Sequence, residues 1–168
     1  MRHLLIPHPR SPCDAVSCLE VEVGTAGAEL TLRYVLTGDM SRIVVPPVTA
    51  PARVGGLWAR TCFEAFVGGD GAAYAEFNLS PSTEWAAYRF DDYRQGMAPL
   101  AETQAPHIAT TVGKGLLEMR VSLARPAGSR LGLTAVIEEV GGRLSYWALR
   151  HPTAQPDFHH PDGFVLAM

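Results

Sequence analysis

The chain has 168 residues, enough for one domain that buries roughly 70% of its unfolded surface. Hydrophobic residues make up 47% and charged residues 18%, the balance of a folded globular protein and not of a disordered one. A formal charge of −3 offers no basic surface for nucleic acid or an anionic membrane, and no segment reaches the ~20 apolar residues of a spanning helix.

At the N-terminus, Met1-Arg2-His3-Leu4-Leu5-Ile6-Pro7 carries too short an apolar run before its proline for a signal peptide, so a cytoplasmic protein is expected. The cysteines, Cys13, Cys18 and Cys62, are odd in number and are expected as free thiols. Leu19, Val21 and Val23 alternate with Glu20 and Glu22. Gly24 to Gly27 reads as a turn, after which Leu30, Leu32, Tyr34 and Leu36 alternate with Thr31, Arg33 and Val35. That is a hairpin. From Ser41 to Gly56, Pro46, Pro47, Pro51 and Gly55-Gly56 define a long loop, a kind of segment that often carries function in a compact domain.

A second hairpin is predicted from Arg60 to Ser80, with Gly68-Gly69-Asp70-Gly71 as its turn. Phe63, Ala65 and Val67 on one arm and Ala75, Phe77 and Leu79 on the other form an uninterrupted apolar face. With Phe66 placed opposite Tyr74, Glu64 falls opposite Glu76 and Cys62 opposite Asn78. Ser80-Pro81 reads as the cap and first position of one helical turn reaching Trp85. Further strands are predicted at Trp85 to Phe90, His107 to Val112, Leu116 to Leu123, Leu131 to Glu139, Leu144 to Leu149 and Phe164 to Ala167. No apolar pattern keeps a helical period over three turns. Roughly ten strands at intervals of about 8–12 residues define an all-β, antiparallel sandwich, one domain over residues 1–168.

The polar face of the central hairpin is the unusual feature. Two carboxylates opposed across a sheet repel unless a cation, a proton or a ligand intervenes. Arg60 or Arg89 is the expected cation. Three readings are open: a solvated polar face, a ligand-binding face, and a catalytic pair in which Glu64 and Glu76 cleave a glycoside at a separation of about 5–10 Å. Trp58, just after the loop glycines, is the aromatic placed to stack on a ligand. An aromatic face beside carboxylates and amides suits a sugar, whose ring has an apolar face and a rim of hydroxyls. The expected site is Trp58, Arg60, Glu64, Glu76, Asn78 and Arg89, on one concave surface. The segment His151 to Asp162 gathers three His and two Asp without metal-ligand spacing, and reads as an ordered extended loop with no metal.

Leu57-Trp58…Cys62-Phe63-Glu64-Ala65-Phe66, then Tyr74-Ala75-Glu76-Phe77-Asn78-Leu79-Ser80-Pro81, resembles the DOMON-like and family-9 carbohydrate-binding-module superfamily. Trp147-Ala148-Leu149-Arg150-His151-Pro152, Phe158-His159-His160 and Gly163-Phe164 are similar to the end of a bacterial DOMON-like subgroup. The resemblance covers about Trp58 to the C-terminus. It implies an immunoglobulin-like β-sandwich acting as a small-ligand-binding module, for a carbohydrate or a cell-wall-derived sugar, without catalysis of its own. It also implies that Trp58 stacks on the ring, Glu64 bonds its hydroxyls and Arg89 joins them. The place of a second sandwiching aromatic falls to Trp147 or to His159-His160. Haem-binding members of the superfamily use an axial Met with a His or Lys, for which Met97, Met119 and the histidines supply the residue types. A sugar ligand, haem as an alternative occupant, and a hydrolase using Glu64 and Glu76 are therefore the competing expectations.

Overall fold

The computed structural model describes residues 1–101 and 103–168. The alternating segments pair into two antiparallel sheets, an all-β sandwich without an α-helix among the described residues. One sheet runs β1 (Arg2–Leu4), β3 (Val16–Ala26), β4 (Glu29–Gly38), β10 (Leu116–Ala124), β9 (His107–Gly113). The other runs β2 (Ile6–Pro7), β12 (Leu144–Ala148), β11 (Arg130–Glu138), β5 (Cys62–Gly68), β6 (Tyr74–Leu79), β7 (Trp85–Phe90), β8 (Ala98–Pro99). A last short strand, β13 (Leu166–Ala167), also pairs with β11.

The longer strands fall where the period-two alternation places them, because each has one face to bury. From the first sheet Leu19, Val21, Leu32, Tyr34, Leu117 and Met119 enter the core; from the second, Phe63, Ala65, Phe77, Leu79, Leu133 and Ile137 meet them. Tyr34 packs on Phe63 with ring centroids 4.8 Å apart, and its buried hydroxyl donates to the Glu64 carbonyl oxygen at 3.1 Å. A residue of the first sheet thus fixes the central strand of the second.

Three details differ from the sequence reading. β1, β2 and β8 were not expected, since strands of two or three residues have no period to detect. Leu5, buried between β1 and β2, carries the chain from one sheet to the other. The first hairpin turns at Gly27-Ala28, so Gly24 lies within β3 opposite Thr31. Residues 80–84 form no helical turn: Ser80 N–H donates to the Glu84 carbonyl at 3.0 Å, Thr83 N–H to that of Ser80 at 3.0 Å, and the chain simply reverses.

The central hairpin keeps its predicted faces but not its predicted register. Glu64 pairs with Asn78, Phe66 with Glu76 and Gly68 with Tyr74. The ladder runs two residues further into the glycines than expected. A slip of two leaves every side chain on its face, whereas a slip of one would have inverted them.

Cys13, Cys18 and Cys62 are unpaired. Denatured, unreduced protein is expected to titrate as three thiols. In native protein half-buried Cys18 should react first and Cys62 last, because Cys62 is fully buried and burial pushes its thiol well up. A protein with fewer than three titratable thiols, or a fast-reacting Cys62, would contradict this.

Candidate functional site

The second sheet has a second packed face. Because its strands alternate, the residues pointing away from the core form rows across β12, β11, β5, β6 and β7. One row reads Ala148, Thr134, Glu64, Asn78, Ala86; its neighbour includes Gly132, Phe66, Glu76 and Tyr88; the next includes Gly68, Tyr74 and Phe90. Glu64 and Glu76 are therefore diagonal neighbours, not direct partners.

This outer face is covered by the segment 150–164. Phe164 stacks on Phe66 with centroids 5.7 Å apart and planes at 16°. The ring lies over Gly132, where a β-carbon would come within 2.6 Å of Phe164 Cδ1. Glycine is therefore required here by close approach. Phe66, Tyr74, Phe90 and Phe164 form a small apolar cluster, with Tyr74 stacked on Phe90 at 4.7 Å. His159 packs edge-on against Phe66 and Phe90, at 5.3 and 5.0 Å. The loop after β7 closes the other side. Arg94 N–H donates to the Tyr74 hydroxyl at 3.2 Å, and the Arg94 guanidinium donates to Asp157 at 2.8 Å. The Tyr93 hydroxyl also donates to Asp157, whose carboxylate accepts from His159 N–H at 3.1 Å. Asp157 thus ties the loop to the covering segment.

Between this cover and the sheet lies a cavity of about 690 Å³. Glu64, Glu76 and Val136 line it from the strands, Arg94 and Met97 from the loop, Phe158 and His159 from the covering segment, and Trp58 at its rim. Trp58 sits on a single 3-10 turn, Leu57–Ala59, and is 56% exposed. The two glutamates are only 2% and 5% exposed.

Burial and the Glu76 charge push the Glu64 carboxyl up to about 8, against one opposing hydrogen bond from the Thr134 hydroxyl at 3.0 Å. Burial also raises Glu76, while Asn78 Nδ2, donating at 2.7 Å, and the Arg94 charge pull it down. His159 moves the other way: burial and Arg94 lower it to about 4, so its ring is neutral at pH 7. The Tyr74 hydroxyl accepts from Arg94 N–H and is hydrogen-bonded to His159 Nδ1 at 2.8 Å, while His159 Nε2 lies 3.9 Å from Glu76.

Of the residues expected at the site, Trp58, Glu64, Glu76 and His159 line the cavity. Asn78 is fully buried beneath it, holding Glu76. The others are elsewhere. Arg60 pairs with Glu138 at 3.3 Å and Arg89 with Asp91 at 2.7 Å, so neither compensates the glutamates. Arg89 is on the face of β7 opposite Phe90's, paired with Ala75 and Ala98. Trp147 lies in the core between the sheets, its indole N–H on Ser145 Oγ at 2.9 Å. Arg94, Phe90 and Phe158 were missed. The one usable signal was Arg94's place in the loop after β7, because β7 pairs with the strand carrying Glu76.

No group of three or more His, Cys, Asp or Glu able to hold a metal occurs among the described residues. Met97 and His159, the residue types of an axial haem pair, both line the cavity.

An all-β sandwich with a small, aromatic-rimmed and acid-floored cavity on one outer face is the class of protein these features define. No family model matches the chain, and no curated protein does. Among solved structures it is similar to a "putative carbohydrate-binding protein" from Bacteroides uniformis ATCC 8492. The TM-score is 0.64 at 14% identity, over 98% of this chain and 84% of that one, a likeness of fold.

Proposed function

We propose that this chain is a small-ligand-binding module whose outer-face cavity takes a sugar-like ligand. The observation that carries the reading is the pairing of an exposed Trp58 at the rim with a buried floor of Glu64 and Glu76. A sugar ring presents an apolar face to an indole and hydroxyls to buried acceptors, and the cavity is of ligand size. The fold likeness to a putative carbohydrate-binding protein supports the same class.

A panel of mono- and disaccharides, screened by thermal shift and confirmed by calorimetry, tests the reading. Trp58→Ala is expected to weaken binding by about 1–3 kcal/mol through lost stacking and buried area. Its melting temperature should stay close to wild type, as for exposed positions generally. A panel without any binder, together with a Trp58→Ala variant that unfolds, would overturn the proposal.

Hydrolysis is the second reading, favoured by one observation: Glu64 is held protonated beside a second carboxyl, as a general acid would be. Turnover of chromogenic glycosides, abolished by Glu64→Gln, would replace binding with catalysis.

A further inference from the structure

Glu64 and Glu76 leave oxygens that the protein does not use. Glu64 Oε2 accepts from Thr134, but no donor among the described residues reaches Oε1. Glu76 Oε1 accepts from Asn78, and Oε2 has only the His159 ring at 3.9 Å. Both residues are more than nine-tenths buried and both line the cavity.

The nearby cations are already committed. Arg60 is held by Glu138, Arg89 by Asp91, and Arg94 by Asp157. His159 is neutral in its hydrogen-bonded tautomer. The Arg94 guanidinium, whose charge pulls the Glu76 carboxyl down, is bonded to Asp157 and to neither glutamate.

We propose that the preferred ligand is a cationic amino sugar, its ammonium group seated between Glu64 and Glu76. This rests on the sugar reading above and narrows it. With a neutral hexose, which offers hydroxyl donors alone, the two carboxyls avoid repulsion only by keeping a proton; an ammonium offers three donors and a charge that compensates both.

Calorimetry at pH 7 with three disaccharides separates the possibilities: fully deacetylated chitobiose, its N,N′-diacetyl form, and cellobiose. The deacetylated dimer is expected to bind at least tenfold tighter than the other two. That advantage should vanish in Glu64→Gln, the affinities for the deacetylated dimer and cellobiose converging in a variant whose circular dichroism spectrum stays that of the wild type. Because the pair holds a proton at pH 7, seating an ammonium between the two carboxyls should displace it, a proton release that calorimetry in buffers of different ionisation enthalpy reads and that cellobiose should not cause. The groups facing that pair are Cys62 on β5, Tyr74 on β6, Arg94 in the loop, and Asp157 and His159 in the covering segment. If all three disaccharides bind equally, or the deacetylated one more weakly, the ammonium proposal fails and the sugar reading stands. If none binds, both fail. An advantage that survives in Glu64→Gln and in Glu76→Gln would place the ammonium elsewhere and overturn the proposal.

Discussion

Phe164→Ala is expected to lower stability by about 3–5 kcal/mol, the range for emptying a well-packed aromatic site. Phe164 is 4% exposed, stacks on Phe66, and contacts Gly68 and Gly132 on the strands below. It anchors the covering segment, so its loss should also free Phe158 and His159, which wall the cavity, and weaken ligand binding. A double-mutant cycle gives the sharper test. Gly132→Ala alone places a β-carbon 2.6 Å from Phe164 Cδ1 and should cost about 1–3 kcal/mol by overpacking. In the Phe164→Ala background that cost should largely disappear, because the clashing ring is gone. Denaturant melts of the four proteins measure it. Strictly additive losses would mean that Phe164 does not cover Gly132 in solution.

The stability of the wild type is expected to fall between about pH 6.5 and pH 8, and Glu64→Gln should remove much of that fall. Glu64 has its folded value raised to about 8 from an ordinary 4.5. Between those values the folded chain binds more protons than the unfolded one, so this contribution is full below 4.5 and is lost as pH rises through 8. Glu76, also raised, acts in the same direction. His159 opposes them: its folded value is lowered from 6.5 to about 4, so its contribution is present above 6.5 and lost as pH falls through 4. His151, lowered chiefly by burial, adds to that acid-side loss. From 4.5 to 6.5 the two effects offset; above 6.5 only the carboxyl effect remains, at up to about 1.4 kcal/mol per pH unit. Asp14, Glu22 and Glu118 are held low by arginine partners and titrate below this window. In Glu64→Gln, stability should rise with pH to about 6.5 and then level off. A wild-type curve flat from pH 6.5 to 8 would show that the Glu64 carboxyl ionises freely in the fold.

The sequence by itself determined where the longer strands lie and which way most of their side chains point. Leu19 to Leu36, Phe63 to Leu79 and Leu131 to Ile137 each alternate with period two, and one buried face per strand is enough to fix that. The same alternation put Glu64, Glu76 and Asn78 together on the opposite face. The register within the hairpin was beyond it, because a slip of two conserves both faces and the decision fell to contacts at the glycine end. The covering of that face was beyond it as well. Phe164 packs on Phe66 across 98 residues of chain and His159 on Phe90 across 69, and only the closed sandwich brings them there. For the same reason the charge partners could not be read from chain position. Arg60 and Arg89 are near the glutamates in sequence yet bond to Glu138 and Asp91, while Arg94 reaches the cavity from a loop ordered by Asp157. Trp147, which the resemblance offered as a second sandwiching aromatic, belongs to the core, since β12's facing is set by its pairing with β11. Local periodicity specifies faces; what stands over a face is a long-range contact that only the tertiary structure decides.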